Sequence, residues 1–425
     1  MKVYIKPNTS YHSATLYILK LIEKNQNISF SFVESSEKAN IIWDHTVPSS
    51  EFIYLDFYDG LQGERYNFNH NHIFRTSPTV TDKNEKKDSI ATIFYMINCL
   101  QELNPNEESL DQFGRFKYEA SFQAKFNSIE ENLVQQEIDL FCKKHRLKGT
   151  IKRSAFFVSH DIDTIYGSFL QDGFWALKKL KIGVILNLII WELSRKPHWK
   201  NIDKIIKIDS EYDIHSTFFW LVNKGKGAYN IKNADYNIIK EQKLLDLVEQ
   251  SGLTSGLHKS CSEMSINQEL KKGSFQTNYN RYHFLNFLPH KDWKKISESK
   301  LELDCSLGFA EHFGFRNSYG KAFQPFDIDK DEPYNFIEAP LNFMDGTFRK
   351  YMKIPTNAIA NIIINFYEKN PTNCDFSLLW HNTYFSNYKY NSFLGEYKKI
   401  LGYIYENKIE CVTPNELIKE NKIEW

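Results

Sequence analysis

The sequence predicts an α/β protein in two parts, an N-terminal α/β domain over residues 1–149 and a distorted (β/α) barrel over residues 150–425. Three observations predict it. The first 125 residues alternate short strand-like runs with helically spaced apolar residues. From Ser154 onward, buried-type strands alternate with helices. Those later strands end in polar residues, at Asp161, Asp163, His258, Arg281, Asp304, Glu338 and His381, as in a barrel with its site at the strand C-termini.

In the first part, Val3–Ile5 reads as an edge strand and Ala14–Ile22 as a helix. Ile28–Val33, Ala39–Trp43 and Glu51–Phe57 read as strands between polar turns. Ile90, Ile93, Phe94, Ile97 and Leu100 share one face of a helix over Ser89–Leu103, capped by Asp88 or Ser89 and ended by Asn104-Pro105. A further helix covers Ile129–Lys144, and the basic run to Arg153 leads out of the region. In the second part, Ala155–Val158 and Thr217–Val222 read as strands, and Ile238–Gln250 as the helix before Gly256-Leu257-His258.

Composition narrows the function. With 53 Lys+Arg against 53 Asp+Glu, the chain lacks the basic footprint of a nucleic-acid binder. Its 33 Phe and 24 Tyr exclude a largely disordered chain. Six scattered cysteines, none in a C-x-x-C pair, make neither a disulfide framework nor a zinc knuckle. The N-terminus has no secretory h-region, which sets a cytoplasmic expectation.

Asp161 and Asp163, in the sequence SHDID, fall on one face of a strand end, where two carboxylates converge. One can hold a metal while the other accepts a proton. The same pair also suits a metal–nucleotide-sugar site, and two solvated turn aspartates would look no different. His258 (GLHKS) and His381 (LLWHN) stand at other strand ends, and RYHF sets Arg281 and His283 two positions apart on one strand face.

Taken in order, these segments resemble the polysaccharide deacetylase (NodB-homology) family. SHDID is similar to its first motif, GLHKS to its second, RYHF to its third and LLWHN to its last. The segments GFRNSYGKAFQPFDI and EAPLNFMDGTF resemble a longer subgroup with H-D-V-D and G-L-H-P-S motifs, and DQFGRFKYEAS resembles that subgroup's junction with an N-terminal α/β region. The resemblance implies a barrel of the deacetylase type and a hydrolase removing an N-acetyl group from a sugar in surface-polysaccharide synthesis. It implies Asp161 as base, Arg281 as its orienting partner, His381 as general acid, and Asp163 and His258 as ligands of Zn²⁺ or another divalent metal. The family's second histidine is absent, since Ser262 stands four residues after His258. His283 is the substitute candidate, and it could equally contact substrate or brace Arg281. Asp304 is the candidate to orient His381, and Arg316 the candidate for an acidic group on the substrate or for a plain salt bridge. Two other readings remain: a glycosyltransferase using the D-x-D pair, and a catalytically weak glycan-binding relative.

The segment Phe174–Lys200 carries apolar residues at helical spacing, with Lys178, Lys179 and Lys181 before them, Arg195, Lys196 and Lys200 after them, and Trp175, Trp191 and Trp199 nearby. Such a helix either packs against the fold or lies in a membrane interface. In the second case the chain would sit peripherally at the inner face of the membrane and meet a lipid-linked sugar or glycan.

Overall fold

In β1 (Lys2–Ile5), Val3 and Ile5 are buried while Lys2 is exposed, the alternation of a strand with one covered face. The computed structural model, which describes residues 1–62, 77–194, 196–274, 276–386 and 388–425, pairs β1 in parallel with β2 (Ser31–Phe32) and β3 (Ile41–Trp43). The helix His12–Gln26 buries Tyr17, Ile18 and Leu21 and stops at Asn27, which takes the left-handed backbone.

Three expected elements change here. Glu51–Phe57 is not a strand: Leu55–Leu61 is a helix, because Ile53, Phe57, Tyr58 and Leu61 recur at helical spacing and are all buried. The expected Ser89–Leu103 helix ends at Ile97, since Cys99 adopts φ 50° and breaks the ladder. Its N-cap is Asp88, whose carboxylate accepts from the Ala91 amide at 2.9 Å. The helix expected from Ile129 begins at Leu133, capped by Asn132.

The main sheet has eight parallel strands. They are β4 (Ala155–Ile162), β5 (Thr217–Leu221), β6 (Thr254–Lys259), β7 (Tyr279–Tyr282), β8 (Leu303–Asp304), β11 (Ile337–Glu338), β12 (Leu341–Met344) and β13 (Asp375–Leu379). A small antiparallel pair, β9 (Phe326–Asp327) and β10 (Glu332–Pro333), stands apart. The spatial order is β11-β8-β7-β6-β5-β4-β13-β12. Every residue of β4 is buried, as in a parallel sheet covered on both faces.

The edge strands β11 and β12 lie at opposite ends of this order, yet only Ala339 and Pro340 separate them in the chain. A flat sheet of this order would be ~34 Å wide at ~4.8 Å per strand. Two residues reach only ~10 Å with the bonds that flank them. The sheet therefore curls until its edges approach, and the Leu341 amide bonds to the Leu307 carbonyl at 2.8 Å. Ala155 and Phe157 pack inside with Phe219, Leu303, Cys305 and Ile337, whereas Phe156 and Val158 face outward into the main core. Asp161 continues the inward register of Ala155 and Phe157.

The N-terminal region is welded to the barrel. The main apolar cluster runs from Val3 to Ile423. Tyr17 donates to the Gln324 carbonyl at 2.7 Å, and Arg316 Nε donates to Glu102 Oε1 at 3.0 Å. Arg316 is thus a buried structural ion pair and is not available to an acidic group on a substrate.

Candidate active site

Each parallel strand delivers its last residues to the same end of the sheet. β4 delivers Asp161 and then Asp163, β6 His258, β7 Arg281 and then His283, β12 Asp345, and β13 His381. This end opens into a cavity of about 380 Å³ lined by Asp161, Asp163, His283 and His381.

Asp161 is buried, and its Oδ1 accepts from Arg281 Nη1 at 2.8 Å. Arg281 is fully buried and pinned on three sides. Its Nε donates to the Cys305 carbonyl at 2.9 Å, its Nη1 also donates to Ser159 Oγ at 2.9 Å, and its guanidinium lies 4.5 Å from the Phe219 ring centroid. Gly256 makes room for that ring: a Cβ there would stand 2.5 Å from Phe219 Cε1.

Asp163 lies just beyond the strand, with its side chain 31% exposed. Its Oδ1 stands 3.3 Å from His258 Nε2 and 3.7 Å from His283 Nε2, and its Oδ2 stands 3.6 Å from His381 Nε2. Burial alone would raise this carboxyl, but the surrounding imidazoles of His283, His258 and His381 hold it well below the usual carboxylate range. His258 Nδ1 lies 2.8 Å from the Arg281 carbonyl, so Nδ1 carries the proton that is donated and Nε2 turns to the cluster. Burial would lower the His258 pKa; the nearby Asp161 and Asp163 reverse this and raise it. Burial pushes His283 down to about 4 and outweighs the upward pull of Asp163, so the ring is neutral at pH 7.

One ligating atom each from Asp163, His258 and His283 fits within a 4.8 Å cluster. Asp163 Oδ1 is buried and has no hydrogen-bond partner among the described residues. Two neutral-capable imidazole nitrogens and one orphaned carboxylate oxygen suit a divalent cation of the zinc kind, so the residues fit the group. His283 is aimed here by an unusual turn: the next two residues, Phe284 and Leu285, have φ of 64° and 50°, a left-handed backbone that non-glycine residues rarely take. Ser262 is turned away into a polar knot, accepting from Asn223 Nδ2 at 3.0 Å and donating to Glu269 Oε1 at 2.9 Å.

His381 faces the cluster from the other side. Its Nδ1 lies 2.8 Å from Asp345 Oδ1, and its backbone amide also donates to that carboxylate. Burial would lower its pKa, but the Asp345 charge outweighs this and raises it to about 9. Its Nε2–H is therefore held toward the cavity in the protonated form. Asp304, the expected partner, is elsewhere: it accepts from Asn280 Nδ2 at 2.6 Å and from the Ser306 amide at 3.0 Å, beside Glu338. The reason is position in the sheet, since β12 adjoins β13 whereas β8 lies across the barrel. The motif reading missed Asp345; its signal was an aspartate directly after the strand-like segment Leu341–Met344.

The N-terminal region reaches the same cavity. Arg115 donates from Nη1 to the Phe284 carbonyl at 2.9 Å and lies between the rings of Phe113 and Phe284, 5.1 and 4.9 Å from their centroids. Phe113, Tyr229 and Lys350 line the outer cavity.

A family model described as a family of unknown function, DUF7033, matches residues 1–148. No curated protein matches the chain. Among solved structures, the chain is similar to a protein assigned to the polysaccharide deacetylases from Mycobacterium smegmatis, at 11% identity and a TM-score of 0.41, covering 63% of this chain and 90% of that one. It is similar to Puue allantoinase at 9% identity and a TM-score of 0.40, with the same coverage of 63% and 90%. A CE4 family pseudoenzyme from Bacillus anthracis matches at 8% identity and a TM-score of 0.24, over 64% of this chain and 67% of that one. What the site can do therefore rests on this chain's own residues.

Proposed function

We propose that this chain is a metal-dependent hydrolase that removes an N-acetyl group from a sugar of a surface polysaccharide. The observation that carries the reading is the meeting of Asp163, His258 and His283 within 4.8 Å, with Asp161 and His381 on either side. When bound, Zn²⁺ or another divalent ion supplies Lewis acidity and lowers the pKa of water toward neutrality. Asp163, His258 and His283 would hold it. Asp161, fixed by Arg281, takes the proton of the attacking water. His381, fixed and charged by Asp345, gives its Nε2 proton to the sugar nitrogen as the C–N bond breaks, because an amine anion is too basic to leave. The products are acetate and a free amino sugar.

The outer cavity supports a sugar substrate. Phe113 and Tyr229 offer aromatic surface, and Arg115 and Lys350 offer donors to hydroxyl or acidic groups. In this reading residues 1–149 form a domain that completes the substrate cleft of the barrel at 150–425. The D-x-D alternative needs both aspartates free for a nucleotide-bound cation, whereas Asp161 already pairs with buried Arg281 at 2.8 Å. The experiment is an acetate-release screen over N-acetylated sugars and oligosaccharides with the metal-loaded protein. Acetate released without any nucleotide supports the hydrolase, and saturable sugar binding with no acetate from any substrate overturns it in favour of a binding protein.

A further inference from the structure

The segment that leaves the site strand builds a helical hairpin, Ser168–Lys178 and Ile182–Leu193, with one face anchored and the other bare. The anchor is specific. Ala176 and Leu188 are buried, Asp172 accepts from Tyr388 and Lys389 at 2.7 and 2.8 Å, and Trp191 stacks on His198 with centroids 4.4 Å apart. The opposite face exposes Leu170, Phe174, Leu177, Ile182, Ile190 and Leu193, each by 60% or more. Leu170, Phe174 and Leu177 share one face of the first helix and Ile182, Ile190 and Leu193 one face of the second, and bare apolar faces of this kind mark an interaction site.

The tip is built in the same sense. Leu180 is 82% exposed and has φ 53°, with its amide bonded to the Leu177 carbonyl and the Lys181 amide to the Ala176 carbonyl. This is a helix stop that normally takes glycine, so here a leucine is held in a disfavoured backbone and pushed into water. Lys178, Lys179 and Lys181 surround it, all exposed and without an ion-pair partner among the described residues. Arg195 lies outside the described residues. No helix among the described residues is long and apolar enough to cross a membrane.

We propose that this hairpin is a membrane-docking element whose occupant is the surface of an anionic phospholipid bilayer. Leu180, Ile182 and their neighbours enter the headgroup–acyl boundary, and the three lysines meet the lipid phosphates. The charge pattern argues against a second copy of the chain, because a two-fold contact through the tips would set these lysines against their own equivalents. The element is also placed to matter: it follows Asp163 directly in sequence, and Gln171 on its first helix lines the active-site cavity. Docking would thus carry the cavity to a membrane-borne substrate; that last step rests on the hydrolase reading, whereas lipid binding does not.

The test is vesicle flotation of the full chain with phosphatidylcholine alone and with added phosphatidylglycerol, at low and high salt. Binding is expected only to the anionic vesicles, with loss at high salt. Combined Lys178→Gln, Lys179→Gln and Lys181→Gln should weaken it about a hundredfold. Leu180→Ser with Ile182→Ser should abolish it while leaving the circular dichroism unchanged. Absence of flotation at low salt, or binding indifferent to both sets of changes, overturns the proposal. So does a stable dimer that Leu180→Ser with Ile182→Ser dissolves. Acetate release from a soluble N-acetylated sugar should be unchanged in all these variants, which separates failure of docking from failure of the hydrolase reading.

Discussion

Asp345 and His381 stand at the ends of adjacent parallel strands, and the aspartate holds the histidine twice, at the ring Nδ1 (2.8 Å) and through the backbone amide, which donates to it. The carboxylate is fully buried and the imidazole is 18% exposed. One group thus fixes the ring, selects which nitrogen faces the cavity and keeps it protonated, with His381 raised to about 9.

Asp345→Asn should lower the turnover number by on the order of 10²-fold, the low end of what loss of a general acid costs. His381→Ala should lower it by about 10²–10⁴-fold. Both variants should keep their metal, because neither residue is among the three proposed ligands. Metal analysis alongside acetate-release kinetics checks this, and full activity in His381→Ala removes the residue from the mechanism.

His283→Ala should weaken metal binding as much as His258→Ala does, since each contributes one nitrogen facing Asp163. Asp161→Asn is the contrast: metal stays and rate is lost. Calorimetric titration of each metal-free variant with Zn²⁺ reads the difference. Wild-type affinity in His283→Ala would leave this histidine as a substrate contact or a brace for Arg281.

Gly256→Ala should cost about 1–3 kcal/mol of stability, the usual range for overpacking a tight core. The new methyl would meet Phe219 Cδ1 and Cε1 at 2.6 and 2.5 Å, and Phe219 is fully buried beneath Arg281. Because Arg281 positions Asp161, the rate should fall as well. Urea denaturation of wild type and variant checks the stability, and equal midpoints would contradict it.

Stability should also fall with rising pH through a buried carboxyl pair. Burial pushes both Asp304 and Glu338 up, and the charge of Asp304 adds to the rise at Glu338. Above the ordinary carboxylate value near ~4, the folded chain holds protons that the unfolded chain has released. Unfolding free energy therefore declines from there until pH passes the raised folded values. Glu338→Gln should flatten that decline in denaturation curves taken across mildly acidic to neutral pH. Parallel curves for both proteins would contradict it.

Much of the site was legible because it lies at strand ends, where a short motif fixes both residue type and location. Asp161, Asp163, His258, Arg281, His283 and His381 all stand in short motifs, and the fold brings Asp161, Asp163, His283 and His381 to one cavity, with His258 and Arg281 buried against the two aspartates. What sequence could not supply was strand adjacency. Asp304 and Asp345 both follow apolar strand residues, and only the neighbouring of β12 and β13 selects Asp345 for His381. Arg316 likewise needed its distant partner Glu102 to be read as an ion pair. Within the N-terminal region, Glu51–Phe57 was misread because a short apolar run fits both periods, and burial of Phe57, Tyr58 and Leu61 together requires a helix.

Metal-dependent hydrolysis at this site is read by following acetate release from an N-acetylated oligosaccharide as Zn²⁺ is returned to chelator-stripped protein. No release is expected at the start, then a rise that saturates near one ion per chain, with no recovery in Asp163→Ala. Release by the stripped protein, or full recovery in Asp163→Ala, would contradict it.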